Sequence, residues 1–186
     1  HNCEKSNLKF LVVVRKNLVL LGMMGVGKST LGKIVAKELN LKFVDIDLNI
    51  EKKFSMKIWE IFKSKGEDFF RLEEEKEVLE CLKKNKIVLA LGGGAFMNKN
   101  IRNLILKNSL SFWLDLNLKT VNERVKWNKK RPLLNHQNTE EIIKKLYSER
   151  KNIYKLAKYK INCDKIPKGK IVEKIIFFYE NYKIKR

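Results

Sequence analysis

The run Gly22-Met23-Met24-Gly25-Val26-Gly27-Lys28-Ser29-Thr30 carries the most specific chemistry in this chain of 186 residues. It fits G-x-x-x-x-G-K-[ST] and lies between a short apolar run and a helix-patterned stretch, the setting that the motif requires. Glycines allow the backbone to curl with its N–H groups facing phosphate oxygens. The helix that follows adds partial positive charge at its N-terminus. The pattern therefore predicts an ATP site in which Gly25, Val26, Gly27 and Thr30 surround the phosphates. Lys28 would reach the β- and γ-phosphates, and Ser29 would hold Mg²⁺. A glycine-rich turn that merely precedes a lysine would not need that flanking strand and helix. Such a loop identifies the phosphate donor and says nothing of the acceptor. With no N-K-x-D guanine signature and a small size, a kinase closing over a small acceptor is the expectation.

Four further segments bear on the acceptor, and each also has a structural reading. Asp45 and Asp47 stand at i and i+2 at the end of an apolar run, so both carboxylates could face one side. Asp45 could then hold Mg²⁺ through water and Asp47 accept from a polyol, although an acidic helix cap reads the same way. Gly66-Glu67-Asp68-Phe69-Phe70-Arg71 places a planar guanidinium that suits a carboxylate, with Glu74 one turn on to orient it. An intrahelical ion pair would serve Arg71 equally well. Gly92-Gly93-Gly94 follows a third apolar run, where three glycines imply that something approaches the backbone closely. The lysine-rich stretch from Arg124 ends in Arg131-Pro132-Leu133-Leu134, and a solvated loop is its plain reading.

Together, in this order and spacing, these segments resemble shikimate kinase from about Asn17 to Phe178. The resemblance implies ATP and Mg²⁺ as cofactors and phosphoryl transfer to the 3-hydroxyl of shikimate. It implies that Asp47 binds the substrate hydroxyls, that Arg71 pairs with the carboxylate, and that Gly93 and Gly94 form part of the substrate cradle. Arg150, in Tyr147-Ser148-Glu149-Arg150-Lys151-Asn152-Ile153-Tyr154, matches the family's R-x-x-x-Y helix, whose arginine joins the carboxylate clamp. Arg124 matches an arginine that stacks on adenine, with Pro167 near the adenine edge. Arg131 matches the arginine of a mobile lid, about 124–136, that contacts the phosphates on closure. Lys28, Asp47 and Arg131 would be the catalytic residues, and Ser29 and Asp45 the metal-binding ones. Two departures stand out. Ser55 occupies a position where many relatives have glycine, and Trp127, Lys129 and Lys130 replace small lid residues.

The elements that must position these residues follow from periodicity. Leu18 to Leu21, Phe43 to Ile46, Ile87 to Leu91, Leu110 to Leu114 and Tyr159 to Asn162 read as strands. Helices are expected at about Lys28 to Leu39, Glu67 to Lys83 (with Leu72, Val78, Leu79 and Leu82 apolar), Glu140 to Ala157 and onward from Lys168. Strands that are apolar throughout and alternate with helices indicate an α/β fold with a central parallel sheet of about five strands. Ligands bind such sheets beyond the strands' C-terminal ends, where the motifs fall. The resemblance adds a substrate-binding helical subdomain at about 47–75.

The composition narrows the classes. One domain spanning 16–186 is expected, after an extension of residues 1–15, because no linker or repeat marks a boundary. No apolar run approaches the ~20 residues that cross a membrane, so no membrane partner is expected. Three dispersed cysteines, Cys3, Cys81 and Cys163, fit no metal or disulfide pattern and suggest a cytoplasmic protein. Two histidines make a histidine-based metal site or triad unexpected. The net charge of +20 raises nucleic-acid binding, but the basic residues are scattered rather than clustered, so no specific nucleic acid is expected. A monomer is expected from the resemblance. The rivals are another small-metabolite kinase, such as one for gluconate, and a non-catalytic relative.

Overall fold

A computed structural model describes residues 16–127 and 138–182. Arg131 and most of the expected lid segment therefore lie outside the described residues, as does the extension at 1–15. Five strands, β1 (Asn17–Leu21), β2 (Lys42–Asp45), β3 (Ile87–Ala90), β4 (Ser109–Asp115) and β5 (Tyr159–Asn162), form one sheet in the order β2-β3-β1-β4-β5. Every pairing is parallel. The central strands are mostly apolar because helices cover both faces, although Asn17, Ser109 and Ser111 are buried with them. Leu18, Val19, Leu20, Val88, Leu89, Phe112 and Leu114 are fully buried.

Register aligns the chemistry. Asp45 lies opposite Ala90, and Ala90 opposite Leu20, so β2, β3 and β1 end at one level. The phosphate loop, the carboxylate of Asp45 and the three glycines consequently emerge on the same edge. Helix α1 (Lys28–Glu38) follows β1 directly, with Gly27 as its cap at φ 101°. That left-handed backbone favours glycine and explains the second glycine of the loop.

Two short helices, α2 (Ile46–Phe54) and α3 (Ile58–Lys65), and the longer α4 (Glu67–Leu82) pack on one another beside β2. Aromatic pairs join them: Phe54 meets Phe69 edge-on at 5.5 Å, and Phe62 lies 4.7 Å from Phe70. Helices α5 (Lys99–Asn108), α6 (Leu118–Trp127), α7 (Thr139–Tyr154) and α8 (Lys168–Glu180) complete the layers. A short 3₁₀ turn, Ala95–Met97, leads from the glycines into α5.

Two local expectations change. Phe43 to Ile46 does not continue as strand: Asp45 caps α2 by accepting from the Leu48 N–H at 3.2 Å, and Ile46 is already helical. Asp47 therefore reaches the cleft from the first helical turn and not by strand alternation. On α4 the buried face holds Phe70, Glu73, Glu74, Val78 and Cys81, whereas Leu72 is exposed. Sequence periodicity assigns a leucine inward where the fold buries two glutamates, because those glutamates have cationic partners.

Candidate active site

The P-loop has the shape that anion binding needs. Gly25 and Gly27 both have positive φ, 77° and 101°. The Lys28 ammonium is folded over the loop and donates to the carbonyl oxygens of Gly22 and Met23, each at 2.9 Å. Ser29 donates its hydroxyl to Asp45 Oδ2 across the gap between α1 and β2. Asp45 has its other oxygen engaged by the cap on Leu48. A hydroxyl and a carboxylate in contact beside the phosphate loop form a pair of hard oxygen donors that suits Mg²⁺. This ion takes few protein ligands and keeps waters and phosphate oxygens. Among the described residues no group of three or more His, Cys, Asp or Glu is placed to hold a metal ion.

A cleft of about 410 Å³ runs from this loop to α4 and α7. Its walls include Gly25, Gly27, Lys28, Ser29, Thr30, Asp45, Asp47, Arg71, Gly92 to Gly94, Arg124 and Arg150. Each expected site residue within the described chain, Val26 excepted, thus faces one space; Val26 is buried beneath the loop. The glycines lie hard against the side chains. A methyl group on Gly92 would stand 2.7 Å from Glu74 Oε1 and 2.8 Å from Asp47 Oδ1. One on Gly93 would stand 3.2 Å from Arg150 Nη1, and one on Gly94 2.6 Å from Arg71 Nη2. The close approach inferred from three consecutive glycines is therefore made by the site's own charged groups.

Arg71 is held on three sides. Its Nη1 donates to Glu74 Oε2 at 2.7 Å, while Nε and Nη2 reach Glu67 Oε1 at 3.3 Å. The rings of Phe62 and Phe70 lie 6.0 and 5.3 Å from its Cζ. Arg71 makes the intrahelical ion pairs and also lines the cleft. Glu74 is 1% exposed, and its Oε1 has no hydrogen-bond partner among the described residues. Burial pushes the Glu74 carboxyl above the usual range; Arg71 and Arg150 pull it down, and the nearby Asp47 charge pushes it up. Two arginines and two carboxylates thus converge at one end of the cleft. The cationic pair gives that end a place for a further carboxylate, and Asp47 supplies an acceptor for a hydroxyl.

Arg124 lies at the other end and donates from Nη1 to the Gly25 carbonyl at 3.2 Å. It also borders a second hollow, formed with Leu116, Asn117, Thr120, Ile166 and Pro167. Arg124 and Pro167 thus border one hollow. Tyr154 closes the R-x-x-x-Y segment at the end of α7. It is wholly buried and donates its hydroxyl to the Gly93 carbonyl. The R-x-x-x-Y spacing was the available signal, because residues four apart share a helix face.

Comparison with known proteins agrees with the geometry. The family model described as shikimate kinase matches residues 24–180. A shikimate kinase from Sulfurihydrogenibium sp. (strain YO3AOP1) is 48% identical over 161 residues, covering 87% of this chain and 96% of that protein. The structure of shikimate kinase from Acinetobacter baumannii in complex with shikimate superposes with a TM-score of 0.86 at 31% identity. It covers 91% of this chain and 96% of that one. A gluconokinase from Sinorhizobium meliloti 1021 shares the fold alone, with a TM-score of 0.60 at 15% identity over 90% of this chain and 93% of that one. By its motifs, its fold and these likenesses, the chain belongs to the shikimate kinase family.

Proposed function

We propose that this chain transfers the γ-phosphoryl group of ATP to the 3-hydroxyl of shikimate, yielding shikimate 3-phosphate and ADP. The observation that carries the reading is the single cleft that joins the phosphate loop to Asp47, Arg71, the glycine run and Arg150. Arg71 and Arg150 hold the acceptor's carboxylate, Arg71 through its planar fork. The backbone at Gly93 and Gly94 closes around the ring. Asp47 accepts a hydrogen bond from the attacking hydroxyl and takes its proton as the oxygen bonds to phosphorus. Lys28 exchanges its carbonyl partners in the loop for the β- and γ-phosphates, and Arg124 covers the adenine. Ser29 and Asp45 hold magnesium, which when bound neutralises charge on the phosphate oxygens. Most of the catalysis then comes from positioning and electrostatics.

The helical unit of residues 47–75 is the acceptor subdomain in this reading. The segment 124–136 is the lid, with Arg131 meeting the transferring phosphoryl group on closure. The proposal extends to a monomeric, cytoplasmic enzyme without specific nucleic-acid or membrane partners. The buried free thiols of Cys81 and Cys163 agree with a reducing compartment.

ADP release from ATP and Mg²⁺, with and without shikimate, tests the reading in wild type and Asp47→Asn. Shikimate should stimulate release, and the variant should lose about 10²-fold or more of that stimulation. Stimulation by gluconate in place of shikimate would overturn the acceptor. A variant within about threefold of wild type would overturn the role of Asp47.

A further inference from the structure

We infer that Tyr154 is a positioning residue for the acceptor. Its hydroxyl fixes the Gly93 peptide and so holds the glycine run and Arg150 in register with the phosphate loop. The inference rests on the acceptor-side assignments above and adds a residue to them.

Tyr154 ends α7 and is 0% exposed. Its ring packs at 5.9 Å against Trp113 of β4, and its hydroxyl lies 3.9 Å from Met23 Sδ in the phosphate loop. A buried tyrosine hydroxyl needs a partner. Here the partner is the Gly93 carbonyl, at 2.5 Å, from the backbone that lines the cleft. The Gly92 and Gly94 carbonyls accept from the Ala95 and Met97 N–H groups, each at 3.1 Å, which leaves the Gly93 carbonyl between them to the Tyr154 hydroxyl. A trans peptide holds its C=O and N–H antiparallel. With the Gly93 carbonyl drawn towards α7, the Gly94 N–H is turned away from that helix.

Arg150 stands one turn before Tyr154 on the same face of α7. A methyl on Gly93 would lie 3.2 Å from Arg150 Nη1, 3.6 Å from the Met24 nitrogen and 3.7 Å from the Gly22 carbonyl oxygen. Gly93 is thus the point where phosphate loop, arginine and tyrosine meet. Displacing its peptide alters the spacing between the donor and acceptor ends of the cleft. The Arg150 guanidinium beside the phenol also opposes the rise that burial imposes on its pKa.

Tyr154→Phe keeps the ring and deletes the hydrogen bond. The KM for shikimate should rise about tenfold, the size of one lost buried hydrogen bond, while the KM for ATP changes less than about twofold. Tyr179→Phe is the control. It removes a tyrosine bond to the Lys16 carbonyl at 2.8 Å, at the end of β1 away from the phosphate loop. It should lower the Tm comparably and leave both KM values unchanged. A Tyr154→Phe enzyme with unchanged shikimate KM, or with both KM values raised together, overturns the inference. Arg150→Lys separates the two levels of argument. If it raises the shikimate KM and Tyr154→Phe does not, only the inference falls. If Arg150→Lys has no effect, the assignment of Arg150 falls and takes the inference with it.

Discussion

Gly94→Ala should impair acceptor binding at a moderate cost to the fold. Gly94 has φ −96° and ψ −11°, a backbone that alanine adopts readily. The added methyl, however, would lie 2.6, 2.7 and 2.8 Å from Nη2, Nη1 and Cζ of Arg71. Carbon contacts of this kind settle at about 3.5–4.0 Å, so the guanidinium must withdraw by roughly 1 Å. Its Nη1 is held by the buried Glu74 carboxylate, so the withdrawal leaves that group unpaired at a cost of about 1–3 kcal/mol. Alanine in turn lowers the entropy of the unfolded chain by about 0.4–1 kcal/mol. The net effect should be a destabilisation of up to about 2.5 kcal/mol, a Tm fall of no more than about 10 °C. Function should respond differently. Withdrawal takes Nη1 off Glu74, now 2.7 Å away, and moves the fork off the acceptor's carboxylate. One charge-assisted contact is worth about 1.5–3 kcal/mol, which converts to about 10- to 150-fold in kcat/KM for shikimate. Steady-state assays varying shikimate at saturating ATP, and the reverse, read this directly. A kcat/KM for shikimate within about twofold of wild type would refute the steric argument and the role of Arg71 with it. An equal loss for ATP would show that the glycine run serves the whole cleft.

Two further predictions concern stability. Ser55 caps α2 at φ 52°, a left-handed conformation that is easier for glycine, so Ser55→Gly should stabilise the protein by about 0.5–1 kcal/mol despite its looser unfolded chain. Thermal unfolding should show a Tm rise of roughly 2–3 °C, and a fall would contradict the capping argument. Glu73 bonds Lys53 at 2.7 Å and Lys76 at 2.8 Å; the Lys53 bond, then the Lys76 bond, pull its carboxyl below the usual value of 4.5. A depressed carboxyl stabilises the fold above its unfolded pKa and loses that effect as pH falls through the folded one. Urea unfolding should therefore show wild type ahead of Glu73→Gln at pH 6, with the gap closing as pH drops below about 4.5. A gap that does not depend on pH would refute the ion-pair account.

The three helices at 46–82 show where sequence reading stops. Asp45, Asp47 and Arg71 are recognisable, but α2 and α3 are only 9 and 8 residues long, too short for an apolar pattern to declare itself. Their burial comes from aromatic pairs such as Phe54 with Phe69, which lie far apart in the chain. Leu72 misleads for the same reason. Periodicity counts apolar residues, whereas α4 turns Glu73 and Glu74 inward because Lys53, Lys76 and Arg71 come to meet them.

What the sequence determines by itself is the local chemistry. The phosphate loop is specified by glycines at positions that need positive φ and by a lysine at the start of a helix. The parallel sheet follows from apolar strands alternating with helices. Convergence belongs to the tertiary structure. Ser29 meets Asp45, Arg150 comes to the Arg71–Glu74 pair, and Tyr154 pins Gly93, across separations that no local pattern encodes. The cause is register: parallel pairing ends β1, β2 and β3 at one level, so residues remote in sequence share one edge.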